Sequence, residues 1–544
     1  MKNKKNDFIA QGSILAIASI LVRVMGMIYR IPMTAIIGDK GNGFYSYAYS
    51  VYTILLLLSS YSLPLAVSKM VSAKAELGQW RNVKRVLICA IVFAIGIGTL
   101  FGLIVLVGAQ FFTRVFFHSE LAAIALRFMA PTILIMALLG VFRGFFQGLQ
   151  NTLPTAVSQI VEGLINAVMS VVFAYFLFDF GHGFDTASAS DMGCAWGAAG
   201  GAIGTGAGAL AGLIFCFVLF IAYRRILEVN IRRDKTGTQQ EYKDIFRLML
   251  SIALPVIFST ALYNLIDLID GSLFNNIMAS KDMSDVKDSI WGAYNAKALL
   301  LVHIPVSISS AMAVSLVPTL TAAYALGNHK TAKAKVNAIL RFISILAFPS
   351  AVGLFVLADP IIKTLFAGDK SSASTYLMAV APAVITFSFS TITNSILQGV
   401  DRMDLPVRHS LAAMAVHVAI LLLLCIGFDL GIYGVIISYV IYALVITILN
   451  FRSIYKILNY RLDIVTLLIK PALASAVMGV ICFACYKILH SFMGKTVPML
   501  ISVIVAIVVY FVVAIKIKLL TERVMKDLPK GTALIRLAKK CKLM

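Results

Sequence analysis

The chain has 544 residues, of which 60% are hydrophobic and 13% charged, and its mean hydropathy is +0.91. A water-soluble protein of this length has no core large enough to hide so much apolar surface, so most of the chain must have the bilayer as its solvent. Its apolar runs of about 20 residues or more indicate spanning helices, because barrel strands would show a ten-residue alternation instead. The composition therefore predicts an all-α polytopic membrane protein.

Fourteen spans are predicted in chain order: 8–37, 43–68, 84–112, 121–149, 153–178, 195–223, 246–279, 289–324, 334–366, 372–400, 405–427, 430–456, 465–490 and 496–520. An even number of spans places both termini on the same side of the membrane. Lys and Arg divide 34 to 8 between that side and the opposite one, which predicts cytoplasmic termini in the cell membrane. The net charge of +22 is then a topology signal and not the mark of a nucleic-acid partner.

The chain repeats itself at an offset of about 250 residues. SAKAELGQWRNVKRVL (72–87) resembles TAAYALGNHKTAKAKV (321–336), and FQGLQNTLP (146–154) recurs as LQGVDRMDLP (397–406). Because six spans separate the copies, they have the same orientation, and parallel repeats of this kind are a transporter architecture with the substrate bound between the halves.

The predicted organisation follows from this repeat of two parallel six-helix copies plus two C-terminal helices. It consists of an N-terminal lobe (1–223), a polar cytoplasmic linker (224–245), a C-terminal lobe (246–456), two further spans (457–520) and a basic amphipathic cytoplasmic tail (521–544). In the sixth span a glycine recurs every four residues, at Gly200, Gly204, Gly208 and Gly212. We interpret this ridge as a surface for close helix packing.

Charged side chains inside spans cost a few kcal/mol each, so they are expected to face a partner or a solvated cavity. The basic ones are Arg23, Arg30, Arg127, Arg143 and Lys297, and the acidic ones are Glu162, Asp267 and Asp270. Arg23 and Arg30 are seven residues apart, which places them on one helix face about 10 Å apart. Paired guanidinium groups bind phosphate oxygens well, so a multiply charged anion is the expected ligand.

Other roles remain open for several of these residues. Arg30, Asp267, Asp270 and Lys297 all lie in the outward halves of their spans, where they could form a salt-bridge network or an outer gate. Asp267 and Asp270, with Asn264 one turn away, could bind a coupling cation such as Na⁺. Glu162 could be a proton site or the counter-ion of Arg23. Arg127 and Arg143 lie near the ends of their span and could extend to the lipid headgroups. Arg143 and Glu162 are also candidate residues of the substrate-binding cavity.

The sequence contains no Walker A loop, no GxGxxG after a strand and no HExxH. It therefore predicts a transporter and not an enzyme, with no metal and no cofactor. Its energy would come from an Na⁺ or H⁺ gradient, the membrane potential or the substrate gradient.

Three stretches carry a family resemblance: RVMG in the first span, GNGFYSYAY at the start of the second and SLPLAVSKMVSAKAELG at its end. With the repeat, they resemble the polysaccharide-biosynthesis exporters. These are lipid-linked oligosaccharide flippases of the superfamily that also holds the multidrug (MATE) exporters. The most similar branch includes stage V sporulation protein B and is related to the lipid II flippases.

The resemblance implies transfer of an undecaprenyl-pyrophosphate-linked cell-wall precursor, lipid II above all, from the inner to the outer leaflet. It implies pyrophosphate binding by Arg23, the arginine of RVMG, and by Lys297, which lies close to a second family position. The chain departs from the family at Tyr29-Arg30, where lipid II flippases of some bacteria have Arg-Asp. The resemblance also implies, for Lys69 and Lys74 at the inner end of the second span, the substrate-entry role that basic residues there have in the family.

The implied partners are a lipid-linked anionic oligosaccharide and membrane lipids, with cell-wall synthesis enzymes as a further candidate. The alternatives are a flippase for another lipid-linked polysaccharide unit and a cation-coupled exporter of the MATE type. An exporter of cationic drugs should have an acidic excess inside the membrane, whereas this chain has a basic one. A non-transporting scaffold for cell-wall enzymes would leave the intramembrane arginines unexplained.

Overall fold

The structure is a computed structural model that describes residues 18, 21–60, 63–183, 189–237, 239–368, 370–522, 525, 535–536 and 539. At 254–256, 258–263, 314–315 and 318 it describes the backbone alone. All regular secondary structure in these ranges is helical, as predicted. Most of the predicted tail (521–544) and the start of the first predicted span lie outside the described residues.

The helices in chain order are α1 (Arg30–Ser59), α2 (Leu63–Glu76), α3 (Trp80–Phe117), α4 (Ala122–Gly148), α5 (Leu153–His182), α6 (Ala189–Arg233), α7 (Tyr242–Ser280), α8 (Ser284–Ala293), α9 (Leu300–Ala325), α10 (His329–Val356), α11 (Ala358–Leu365), α12 (Ser371–Val380), α13 (Ala383–Gly399), α14 (Asp404–Leu422), α15 (Ile432–Leu458), α16 (Lys470–His490) and α17 (Thr496–Lys516). Short π-helical segments cover Tyr294–Leu299, Leu423–Gly427 and Val465–Ile469. Residues 21–28 are also helical.

The first two predicted spans are joined by a kink instead of a loop. Gly38 has φ 65° and ψ −175°, a conformation open essentially to glycine alone, and α1 continues on both sides of it. The chain therefore changes direction at Gly38 within one helical element.

Eleven helices in the described ranges are long and apolar enough to cross a membrane, and twelve if the bent pair α12 and α13 counts as one span. These two helices meet at 42° where Pro382 removes a backbone donor. The predicted membrane fold is thus confirmed, while the count of fourteen spans is not.

The predicted polar linker is largely helical. The sixth span continues as α6 to Arg233, and its extension is supported by an ion pair between Arg224 and Glu228 at 2.9 Å with i, i+4 spacing. Between α6 and α7, the described residues 234–237 and 239–241 are held against the start of α3. Asp234 accepts the backbone N–H of Arg81 at 2.9 Å, and Arg85 donates to the carbonyl of Gln240 at 2.5 Å.

The chain forms two compact units, Met1–Gly292 and Ala293–Met544. In the first unit α5 packs along α6, α4 contacts α2, α3 and α6, and α1 contacts α4 and α6. In the second, α13 packs on α9 and α15, while α16 packs on α17 and α10. The boundary falls just before Ala293, the last residue of α8, inside the eighth predicted span. The lobe boundaries given by the repeat remain a prediction.

The two sequence copies end equivalent helices with the same turns. Gly78 and Gly327, 249 residues apart, have φ values of 70° and 67° and follow α2 and α9. Gln150 and Asp401 both have φ 60° and follow α4 and α13. A shared left-handed residue after the last helical turn closes the helix end in each copy.

The glycine ridge of α6 lies directly against α5. A Cβ atom added to Gly204 would overlap the backbone of Ser170, and one on Gly208 would lie 2.6 Å from the carbonyl oxygen of Glu162. The ridge therefore brings the two backbones together, as predicted. This approach fixes the position of every α5 side chain that faces α6.

We expect Gly204→Ala to lower the thermal unfolding midpoint of the detergent-solubilised protein. Overpacking costs about 1–3 kcal/mol, more than the ~1 kcal/mol that alanine gains over glycine in a helix. Gly96→Ala is the matched control, because Gly96 lies in α3 with no atom within 4 Å of an added Cβ. Equal midpoints for the two variants would contradict close α5–α6 packing.

We expect Asp234→Asn to lower the thermal unfolding midpoint relative to the wild type at pH 7. The difference between the two midpoints should become smaller as the pH falls. Hydrogen bonds from the Arg81 backbone and from Thr236 lower the pKa of the Asp234 carboxyl below its ordinary value of 3.8. The ionised carboxylate therefore stabilises the fold above pH 3.8, and this contribution disappears as the pH falls through the lower folded-state pKa. Midpoints measured between pH 7 and pH 3 test this; a constant margin would contradict it.

Candidate functional site

A cavity of about 150 Å³ lies among membrane-spanning helices of the first unit. Its walls come from the first residue and the C-terminal half of α1, from α4, α5 and α6, and from the residue that precedes α1. The lining residues are Tyr29, Arg30, Tyr45, Tyr49, Tyr52, Leu56, Met136, Glu162, Asn166 and Thr205. The volume equals that of about five water molecules in the liquid.

One wall of the cavity is a row of tyrosines on α1. Tyr45, Tyr49 and Tyr52 are spaced i, i+4 and i+7, so they share one helix face, and neighbouring ring centroids are 5.9 Å apart. The guanidinium of Arg30 lies over the ring of Tyr45, 5.7 Å from its centroid. A cation over an aromatic face is stabilised even where water is scarce.

The opposite wall carries an acid that already has a partner. Arg143 on α4 donates to Glu162 Oε2 at 2.7 Å and to the hydroxyl of Ser158 at 2.8 Å. Ser158 and Glu162 are one turn apart on α5, so a single guanidinium reaches both acceptors. Glu162 therefore brings little net negative charge to the cavity.

The glycine ridge of α6 sets this wall in place. A Cβ atom added to Gly208 would lie 2.6 Å from the carbonyl oxygen of Glu162 and 2.8 Å from the Cβ atom of Asn166. Between ridge positions, Thr205 faces the cavity, and its hydroxyl lies 3.3 Å from that of Tyr45. Close helix packing thus places an amide and two hydroxyls beside the cationic group.

The charge balance of the cavity is positive. In the described part of the chain no carboxylate forms an ion pair with Arg30, while Glu162 is neutralised by Arg143. Guanidinium, phenol and amide N–H or O–H groups are all donors. The arrangement can hold an anionic group with several oxygen acceptors.

Arg23 occupies a different environment from Arg30. It is exposed on the helical stretch 21–28 and is not among the residues that line the cavity. Here the structure differs from the expectation that both arginines share one cavity face. Lys69 and Arg127 are exposed too, and Lys74 is half-buried near the end of α2.

Two sequence-based interpretations of charged residues are corrected. Glu162 is the ion-pair partner of Arg143 and not of Arg23. Arg143 is 9% exposed and does not extend to the headgroups, because Ser158 and Glu162 satisfy its guanidinium inside the helix bundle.

The remaining predicted site residues lie elsewhere. Lys297 is fully buried in the π-helical segment of the second unit. On α7, Asp270 is 4% exposed, Asp267 is exposed and Asn264 is half-buried. Within the described ranges no group of three or more His, Cys, Asp or Glu side chains could hold a metal. Cation binding at α7 stays a prediction.

Sequence reasoning missed the tyrosines, Asn166 and Thr205. The signal was present in YSYAYSVY (45–52), where aromatic residues recur at helical spacing. It was indistinguishable from ordinary core packing without the position of Arg30, which lies 15 residues before Tyr45 and on the other side of the Gly38 kink.

Comparison with known proteins gives consistent matches. A lipid II flippase MurJ of Bacillus subtilis (strain 168) is 24% identical over 406 residues, covering 72% of this chain and 73% of the relative. Stage V sporulation protein B of the same organism is 22% identical over 437 residues, covering 80% and 81%. A solved lipid II flippase MurJ in an inward closed conformation superimposes with a TM-score of 0.66 at 14% identity, covering 92% of this chain and 97% of that one.

Family profiles agree with these likenesses. The MatE profile matches residues 255–423, within the second sequence copy. The profile described as polysaccharide biosynthesis protein matches residues 8–324, more than half of the chain. The resemblance predicted from RVMG and the repeat is confirmed: the chain belongs to the polysaccharide biosynthesis protein family.

Proposed function

We propose that this protein is a flippase that moves an undecaprenyl-pyrophosphate-linked cell-wall precursor, lipid II, from the inner to the outer leaflet. The observation that carries the proposal is the net positive cavity around Arg30, among membrane-spanning helices. A cation without a carboxylate partner is costly in this position unless a solvated or anionic ligand reaches it. The relatives named as lipid II flippases support the same substrate class.

The cavity offers complementary groups for a phosphorylated sugar. Arg30 presents a planar fork that can bind two phosphate oxygens at once. Tyr hydroxyls, Asn166 and Thr205 supply further hydrogen bonds, and the aromatic faces suit the apolar face of a sugar ring. The Arg143–Glu162 pair keeps the acid from repelling the phosphate. The prenyl tail would remain in lipid while the head group crosses by alternating access.

The membrane potential suffices as a driving force in principle. Each negative charge carried outward across an inside-negative potential of 100 mV releases about 2.3 kcal/mol. A pyrophosphate head group would therefore move outward downhill without a nucleotide. Coupling to Na⁺ through Asn264, Asp267 and Asp270, or to H⁺, is the alternative that an ion-gradient dependence would reveal.

A cation exporter of the MATE type is the second candidate, favoured by the MatE match at 255–423 and by the carboxylates of α7. Such an exporter would carry a cationic ligand, whereas the proposed flippase carries an anionic one. Proteoliposomes that accumulate a cationic dye in exchange for Na⁺ or H⁺, and leave lipid II static, would establish it in place of the flippase. A flippase for another undecaprenyl-pyrophosphate saccharide would move that lipid faster than lipid II.

We expect Arg30→Ala to reduce the initial rate of lipid II translocation at least tenfold. Loss of hydrogen bonds to a charged group costs about 1.5–3 kcal/mol, which corresponds to roughly 10- to 150-fold. Arg30→Lys keeps the positive charge but loses the planar guanidinium fork. Its translocation rate should therefore lie between those of the wild type and Arg30→Ala. The measurement is leaflet-resolved accessibility of lipid II in proteoliposomes of the purified protein.

Arg127→Ala is the matched control, since Arg127 is an exposed arginine on α4 outside the cavity. It should translocate lipid II at the wild-type rate. Wild-type rates for Arg30→Ala, at equal reconstitution, would show that Arg30 does not handle the substrate.

A further inference from the structure

Helix ends from the two sequence copies meet within the first unit, at the end that the positive-inside rule places outside the cell. The C-terminus of α3 and the part of α1 beyond Gly38 come from the first copy. The C-terminus of α7 and the whole of α8 come from the second. We call this contact the outer closure and define it by Tyr47, Phe117, Asn275, Asn276 and Lys287.

Side chains of the second copy cap the last carbonyls of α3. Asn276 donates to the carbonyl of Phe116 at 2.9 Å, and Lys287 donates to the carbonyl of Phe117 at 3.1 Å. The last carbonyls of a helix lack intrahelical donors and form the negative end of its dipole. An ammonium group is therefore a well-matched partner for this helix end.

Lys287 is 1% exposed, so its charge has been removed from water. Its ammonium also lies 2.8 Å from Asp288 Oδ1 and faces the ring of Tyr47, 6.0 Å from the centroid. Tyr47 stacks on Phe117 at 4.6 Å and donates its hydroxyl to Asn275 at 2.7 Å. Each polar group of the outer closure thus depends on a partner from the other copy or from its own helix.

Two glycines bring the backbones into contact beside this network. An added Cβ on Gly43 would overlap the carbonyl oxygen of Asp288, and one on Gly292 would overlap that of Asp39. Any larger side chain at either position would hold α1 and α8 apart. The glycines therefore fix the register at which Lys287 reaches the end of α3.

We propose that the outer closure is the seal that shuts the outer end of the transport path, and that it opens when Lys287 leaves the end of α3. The proposal rests on the flippase function and topology proposed above, because only alternating access requires such a seal to break. It assigns to Lys287 a positioning role and no contact with substrate.

The chemistry of the contact suits repeated opening. Buried ion pairs contribute little net stability, because the attraction is offset by the cost of desolvating both charges, and their best-attested use is in register and switching. Lysine, asparagine and a helix end regain water when they separate. Substitution of one of these residues has a different effect from separation of the intact contact, because it leaves the remaining polar groups buried without a hydrogen-bond partner.

The test uses a reporter cysteine at Ser119, which is 5% exposed, lies two residues beyond Phe117 and has a hydroxyl with no hydrogen-bond partner. In intact cells or right-side-out vesicles without substrate, a membrane-impermeant maleimide is added from the outer side. We expect Lys287→Met to raise the labelling rate of the cysteine in Ser119→Cys at least tenfold, and Lys287→Arg to raise it much less.

Arg114→Met is the matched control, because Arg114 is an exposed cation at the same end of α3, and it should leave the rate unchanged. Tyr47→Phe removes one hydroxyl only and should raise the rate modestly, which keeps the test valid if Lys287→Met does not fold. Unchanged labelling in both folded variants would overturn the proposal. Arg30→Ala should block translocation without altering labelling, so failure of the flippase function is distinguishable from failure of the seal.

Discussion

A charge inside the bilayer must be paired, hydrogen-bonded or hydrated, and this constraint governs the first unit of the protein. Arg143 meets it through Glu162 and Ser158, and Lys287 meets it through Asp288 and the end of α3. Arg30 meets it differently, through a tyrosine ring and a cavity. The first two charges are therefore satisfied by other groups of the protein, while the third faces a cavity.

Close helix packing makes these pairings possible. The reach of an arginine is short compared with the width of a helix bundle, so acceptors must come from a neighbour at minimal distance. The ridge through Gly204 and Gly208 brings α5 against α6 and thereby fixes Glu162 and Asn166 at the cavity wall. Gly43 and Gly292 do the same for α1 and α8. Residues without side chains thus determine where the charged side chains act.

Local features of the fold could be predicted from the sequence, and features that depend on a second helix could not. Apolar runs and the glycine ridge are properties of one segment, so the helices and the α6 packing surface were predictable. The pairing of Arg143 with Glu162 joins two helices, and the first interpretation gave each residue another role. Lys287 is one of the eight basic residues that the charge count places opposite the termini, and its burial depends on contact with the end of α3, which no local pattern indicates. The break at Pro382 lay inside a run that hydropathy treats as uniform, and the kink at Gly38 lay between two predicted spans, where a loop was the expectation.

The length of α6 has a mechanical consequence. Its 45 residues span about 67 Å at 1.5 Å per residue, while the hydrocarbon core is about 30 Å thick. A helix of this length therefore extends well beyond the hydrocarbon core. The helix is a stiff rod with its glycine-rich portion in the membrane and its distal end joined, through Asp234, to the start of α3. A change in its tilt of 10° would move a point 35 Å along the rod by about 6 Å, so small rearrangements around the cavity would be amplified at the distal end of the helix.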